Sequence, residues 1–233
     1  MRFIGIIPVR MASTRFPGKP LTPICGKPML HRVYDAVAAA RFMDLWYVAT
    51  PDAEIAVYCQ QNNLKYILTA TTCRNGTERC LDAMRQIAMR DPDDIVINVQ
   101  GDEPLIRPES LTALASAFVN TDVKIASLYF KPSSPAFMSE PNRVKVLVGE
   151  SGDALAFTRR VGSPALWRLY GQHVGVYGYR RDLLPGLVKM EPIGDLEQLA
   201  WMCEGIPVRM VEIGYETVAV DRPEDVLAVE SRL

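Results

Sequence analysis

One unit recurs through the first half of the chain: a short apolar run of strand length, then a loop, then a stretch with helical periodicity. Phe3 to Pro8 is the first such run, and Leu30, Val33, Tyr34 and Val37 mark one face of the helix beyond its loop. Leu45 to Ala49 is the second run, Asp52 is placed to cap the helix behind it, and Tyr66 to Leu68 is the third. A helix is expected from about Thr77 to Met89, with Leu81, Met84, Ile87 and Ala88 facing inward. Asp94 to Val99 then reads as a central strand buried on both faces, because its residues do not alternate. Strands separated by helices of this length imply right-handed crossovers and a parallel sheet. Ligands of such sheets bind beyond the carboxyl ends of the strands. This puts the loop after Pro8, the loop after Leu68 and the Gln100-Gly101-Asp102 turn on one rim.

The second half has a different pattern. Lys124 to Phe130, Val144 to Val148, Ala154 to Thr158 and His173 to Tyr179 are β-rich, and Gly149 to Gly152 forms a natural hairpin connection. Helices are expected at about Asp195 to Cys203 and Pro223 to Ser231, the latter with proline in its first turn. The expected fold class is therefore α/β, a Rossmann-like, mostly parallel sheet flanked by helices, with a smaller antiparallel β-rich subdomain. With no linker, repeat or low-complexity segment, residues 1–233 are expected to form one domain, divided as 1–120, 121–215 and 216–233. At 233 residues the chain can bury roughly 70% of its extended surface, so no disulfide or structural metal is needed.

Charge narrows the ligand. Lys and Arg number 26 against 27 Asp and Glu, a net charge of −1, so no global field attracts nucleic acid or an anionic membrane. The basic residues Arg10, Arg15 and Lys19 nevertheless cluster where no acidic residue occurs before Asp35. The stretch from Pro8 to Leu21 adds Ser13, Thr14 and Gly18. Three cations and two hydroxyls at a strand's carboxyl end are the equipment for gripping a polyphosphate. Neither a Walker A loop nor a G-x-G-x-x-G fingerprint is present. Five cysteines, without a C-x-x-C pair, fit a reducing compartment, and the apolar run before Arg10 is too short for a signal peptide or membrane span. A cytoplasmic location is expected.

The segment Arg10 to Leu21, with its R-x-x-S-T-R-x-P-G-K-P-L pattern, resembles the nucleotidyltransferases that activate acidic sugars as CMP conjugates, above all the 3-deoxy-manno-octulosonate cytidylyltransferases. The resemblance continues in order through Asn75-Gly76-Thr77-Glu78-Arg79, Asn98 to Pro104, Pro141 to Val146, His173 to Tyr179, Leu196-Glu197-Gln198-Leu199 and Val220 to Asp225. It implies transfer of a cytidylyl group from CTP to a small acidic acceptor, with release of pyrophosphate and without a protein nucleophile. Residues 1–120 would then bind the nucleotide, 121–215 the acceptor and a second subunit, and 216–233 would return a metal ligand and the terminal helix.

The resemblance assigns Pro8, Arg10, Ser13, Arg15 and Lys19 to the triphosphate, and Arg74, Asn75, Gly76 and Gln100 to cytosine and ribose. Arg10, Arg15, Lys19 and Asp102 are the expected catalytic set. Asp102 and Asp221, both expected at strand ends, suit Mg²⁺, a hard cation that prefers oxygen ligands; alternatively Asp221 caps the helix near Pro223. The implied acceptor set is Arg159, His173, Tyr177, Glu197 and Gln198, with His173 and Tyr177 sharing one face of a strand. The stretches between Arg159 and His173 and before Leu196 are shorter than in typical members. The acceptor is therefore expected to be 3-deoxy-manno-octulosonate, with another ulosonate, an amino-sugar analogue or a phosphonate as alternatives. A nucleotide-binding protein without catalysis is the alternative of another class. A homodimer is implied by the resemblance alone.

Overall fold

β1 (Phe3–Pro8) leads through the basic loop into a small hairpin of β2 (Pro23–Ile24) and β3 (Lys27–Pro28), followed by α1 (Met29–Ala39), β4 (Leu45–Thr50), α2 (Ala53–Gln61), β5 (Tyr66–Leu68), α3 (Gly76–Gln86), β6 (Ile95–Val99) and α4 (Pro108–Ser116). The computed structural model describes residues 1–88 and 91–233. β1 pairs in parallel with β4 on one side and β6 on the other, and β4 pairs in parallel with β5. All five residues of β6 are buried, the physical cause of its lack of alternation. Leu30, Val33, Tyr34 and Val37 of α1 pack on one face of the sheet, while Leu81 and Met84 of α3 pack on the other. α3 ends at Gln86, before the expected Met89, which lies outside the described residues.

The remaining elements are β7 (Ile125–Phe130), β8 (Lys145–Val148), β9 (Ala154–Thr158), β10 (Tyr170–Arg180), α5 (Leu184–Leu187), α6 (Glu197–Cys203), β11 (Val208–Glu212) and α7 (Asp225–Glu230). β10 joins the two halves into one nine-stranded sheet of order β11-β7-β10-β6-β1-β4-β5. Its 11 residues run antiparallel to β6 and β7, and its first three also pair with β8, which pairs in turn with β9. The antiparallel part thus continues the parallel part edge to edge. Between Val174 and Tyr177 the β10 register against β7 shifts through a bulge, a device that re-aims side chains.

Five local expectations are corrected. The Asp52 side chain does not cap α2; its Oδ2 accepts a hydrogen bond from the Met11 backbone N–H at 2.7 Å, since the rim places it under the basic loop. α6 begins at Glu197 rather than Asp195, and α7 at Asp225 rather than Pro223. Asp221 does not end a strand: the last strand is β11, and residues 216–220 run outside any strand, held where the Val220 N–H donates to the Asp102 carbonyl at 2.9 Å. Nor does Asp221 cap the last helix, because Asp225 Oδ2 accepts from the backbone N–H groups of Asp221 and Arg222.

The floor of the sheet carries one buried charge cluster. Asp94 is 0% exposed and accepts from the Arg2 backbone N–H at 3.0 Å and from its guanidinium at 3.2 and 3.0 Å, with Arg181 3.7 Å away. Removing the carboxylate leaves the Arg181 guanidinium, 17% exposed, without its charge partner and opens a polar gap beneath Arg2. Asp94→Ala is expected to destabilise the fold by about 3 kcal/mol. Urea unfolding checks this, and a loss below about 1 kcal/mol would show the cluster to be inert.

Candidate active site

The basic loop folds back on itself. Gly18 adopts a left-handed φ of 75°, and its N–H donates to the Met11 carbonyl at 3.1 Å, while the Ser13 hydroxyl accepts from the Phe16 N–H at 3.2 Å. A residue with a Cβ would be strained at Gly18, so the glycine permits the return that aims Lys19 inward. Lys19 Nζ donates to Asp102 Oδ2 and to the Val220 carbonyl, both at 2.8 Å. Arg15 pairs with Asp221 at 3.1 Å and donates to Asn142 at 3.3 Å. Arg10 is exposed and has no side-chain partner among the described residues. The expected cations and aspartates therefore converge, with two of the three cations already matched to the two carboxylates. Burial, then the neighbouring Asp102 charge, pushes the Asp221 carboxyl above its ordinary range.

The turn carrying Asp102 is fixed by close approach. A Cβ on Gly101 would stand 2.2 Å from Val9 Cγ1, so only glycine lets β6 end against the loop after β1. Opposite it, Asn75 caps α3 by accepting the Glu78 N–H at 2.8 Å. A Cβ on Gly76 would lie 2.5 Å from Gln100 Nε2, which donates to Asn98 Oδ1 at 3.1 Å. Arg74 is bound to Glu78 at 2.6 Å and Glu191 at 2.8 Å. A cavity of about 680 Å³ is lined by Pro8, Arg10, Ser13, Arg15 and Lys19 on one side and by Arg74, Asn75, Gly76 and Gln100 on the other, with Asp102 and Asp221 between.

A second cavity, of about 900 Å³, shares with the first Arg10, Arg15, Arg74, Asn75, Gly76, Gln100 and both aspartates, so the two are continuous. Its far side holds all five residues of the expected acceptor set. The His173 ring packs edge-on against Phe157 with centroids 5.4 Å apart and lies 5.2 Å from Tyr177, as their shared face requires. Its Nε2 is 2.8 Å from the Ser127 hydroxyl. Burial, helped by the Arg159 charge, lowers its pKa to about 3, so it is a neutral imidazole at ordinary pH. Gln198 donates to the Tyr177 hydroxyl, and Arg159 is tied to Asp195 and to the carbonyls of Pro141 and Asn142. Glu197 accepts from Asn75 Nδ2 at 2.7 Å and from the Thr77 hydroxyl at 3.2 Å, clamping α6 to the start of α3.

Comparison with known proteins gives the family. The family model described as cytidylyltransferase matches residues 4–210. The chain belongs to the cytidylyltransferase family. It is accordingly a nucleotidyltransferase. Its relatives include the 3-deoxy-manno-octulosonate cytidylyltransferase of Myxococcus xanthus, 38% identical across 99% of this chain and 96% of that one, and that of Zea mays, 36% identical across 99% and 80%. A solved CMP:2-keto-3-deoxy-manno-octonic acid synthetase complexed with CTP superposes with a TM-score of 0.89 at 34% identity, covering 100% of this chain and 98% of that one. The 4-diphosphocytidyl-2C-methyl-D-erythritol synthase of Anaerococcus prevotii, at 14% identity and a TM-score of 0.67, shares the fold.

Several residues that shape the candidate site were not singled out as site residues from the sequence. Asn142 and Asp195 orient Arg15 and Arg159, and Asp52 holds the basic loop. Lys145 is fully buried and donates to the carbonyls of Glu140 and Arg159 at 2.6 and 3.0 Å. Arg79, also buried, ties the loop before α3 through Thr69 at 2.6 Å. Lys145 and Arg79 fall inside the motifs that carried the resemblance, a signal that was present; Asn142 lies there too, whereas Asp52 and Asp195 have no such mark.

Burial raises the Glu197 carboxyl to about 7, outweighing the Thr77 hydroxyl directed at it. Its pKa in the unfolded chain is near 4.5. The protonated form is thus favoured in the folded state, so Glu197's contribution is fully present below pH 4.5 and is lost as pH rises through 7. Glu197→Gln, which cannot ionise, is expected to gain up to about 3 kcal/mol relative to the parent between pH 4.5 and 8. Paired urea titrations across that interval test this; a difference that does not change with pH would exclude it.

Proposed function

We propose that this cytidylyltransferase couples CTP to 3-deoxy-manno-octulosonate, giving the CMP-sugar and pyrophosphate. The observation that carries the proposal is the continuity of two cavities: one lined by the triphosphate and base residues, the other by Arg159, His173, Tyr177, Glu197 and Gln198, with Asp102 and Asp221 in their common wall. The names of the relatives and the CTP of the similar solved structure support both ends of this assignment.

In the proposed reaction an acceptor hydroxyl oxygen forms a bond to the α-phosphorus of CTP as the bond to the pyrophosphate oxygen breaks, and the hydroxyl proton is released. Such transfer needs position and charge compensation rather than a covalent intermediate. Arg10, free to swing, and Arg15 and Lys19, released from their carboxylate partners, would neutralise the triphosphate and the charge that develops on pyrophosphate. Asn75, Gly76 and Gln100 would hold base and ribose. Arg159 would meet the acceptor carboxylate, while neutral His173 and the Tyr177–Gln198 pair would orient its hydroxyls.

Asp102 and Asp221 fit Mg²⁺: both line the cavity, each offers hard oxygen, and burial together with the neighbouring Asp102 charge raises Asp221, a penalty on its charged form that a cation relieves. Bound there, the ion would act as a Lewis acid on the α-phosphate. We also propose a homodimer through the β-rich half, where Leu155, Leu166 and Leu169 are exposed. A cytoplasmic location is proposed as well, consistent with five cysteines that are all free. No helix among the described residues is long and apolar enough to cross a membrane.

The test is CTP-dependent pyrophosphate release with a panel of acids. Turnover with the octulosonate is expected; turnover with another ulosonate or a phosphonate but not the octulosonate would reassign the acceptor. CTP binding without turnover on any acid, unaffected by Asp102→Asn, would make the protein a non-catalytic binder.

A further inference from the structure

Three side chains in the wall of the second cavity have no part in the site described so far. Glu103, Gln172 and Thr217 are 3%, 6% and 3% exposed, and all three line that cavity. Glu103 Oε2, Gln172 Oε1 and Thr217 Oγ1 have no hydrogen-bond partner among the described residues. Buried polar atoms are almost always paired, so three orphans bordering one cavity call for a common explanation.

Their chain positions supply one. Gln172 stands on β10 between Phe130 of β7 and Lys145 of β8, next to His173, where ladders on both sides fix its backbone. Glu103 follows Asp102, and its other oxygen accepts the Gly175 N–H at 2.8 Å at the β10 bulge. Thr217 lies four residues before Asp221 on the segment that returns to Asp102. The orphan groups therefore flank both aspartates on the acceptor side, and an amide, a hydroxyl and a carboxyl together can both donate to and accept from alcohols. A compact or apolar acid would leave them unpaired, whereas a chain of hydroxyl groups would satisfy them.

We infer that Gln172 and Thr217, with Glu103 beside them, form a hydroxyl-reading wall that selects a polyhydroxylated sugar acid over a compact acid. This rests on the second cavity being the acceptor site. Because Glu103 adjoins Asp102, the test uses the other two residues.

Gln172→Leu and Thr217→Val each remove the hydrogen-bonding group at nearly constant volume. Each is expected to raise the KM for the octulosonate by about 10-fold or more, with KM for CTP within 2-fold of the parent and a melting temperature unchanged or higher, since a buried orphan has been removed. Thr217→Ser, which keeps the hydroxyl, is expected to retain the parental KM. An acceptor KM that stays within 2-fold in both variants would overturn the inference and leave the proposed function intact. So would a parallel rise of both KM values with a fall in melting temperature, which would mark the residues as structural. Should the parent turn over another ulosonate, the same comparison is made with that acid; turnover on a phosphonate but on no sugar acid would overturn the inference. Absence of turnover by the parent on every acid of the panel would overturn the proposed function, and this inference with it.

Discussion

Asp102→Asn is expected to lower kcat by about 1,000-fold or more at saturating CTP and Mg²⁺ while shifting the melting temperature by only a few degrees. The substitution keeps shape and volume and removes one negative charge where the proposed reaction holds the α-phosphate. Asp102 is 29% exposed and its side-chain hydrogen bond is to Lys19, so little folding energy is at stake. Its backbone carbonyl still accepts the Val220 N–H, which keeps the returning segment in place. Pyrophosphate release and thermal unfolding measured on one preparation decide the matter. A variant within 10-fold of the parent would remove Asp102 from the metal and from the chemistry.

Lys19→Ala comes second in size, with a loss of about 100-fold or more in kcat. The structure refines what this cation does for the fold. In sequence it reads as one of three loop cations, but its side chain is only 15% exposed and donates to both Asp102 and the Val220 carbonyl. It thus joins the ends of the site, and its loss is expected to cost about 1 kcal/mol of stability. That is a few degrees of melting temperature against two orders of magnitude in turnover. Equal proportional losses in both would mean that Lys19 is a structural strut and that Arg10 and Arg15 carry the phosphate alone.

The limits of what was legible in the chain follow from the range of the forces involved. β6 could be recognised because burial on both faces erases alternation locally, and the basic loop because three cations within ten residues need no long-range information. The Gly149–Gly152 hairpin was readable for the same reason: Gly152, with φ of 82°, supplies a local backbone requirement that Gly meets without strain. By contrast, Asp52 has the sequence context of a helix cap, and only the proximity of Met11, 41 residues away, draws its carboxylate elsewhere. Asp221 reads in sequence as a strand end, but no strand among the described residues pairs with its segment, which is held by the Val220 backbone hydrogen bond to Asp102 and by Lys19 on the Val220 carbonyl.

What the residues alone determined is the inventory: alternating strands and helices, a cluster of three loop cations, two aspartates and a group of polar residues ordered as in the cytidylyltransferases. What tertiary structure decided is their meeting. The Lys19–Asp102 contact spans 83 residues, Lys19 to Val220 spans 201, and Asn75 to Glu197 spans 122. Periodicity and capping reach only a few residues along the chain, whereas these contacts depend on which strands the sheet sets side by side and where β10 bulges. Hydrogen bonding and charge pairing then select among groups that the sheet has already brought within 3 Å of each other.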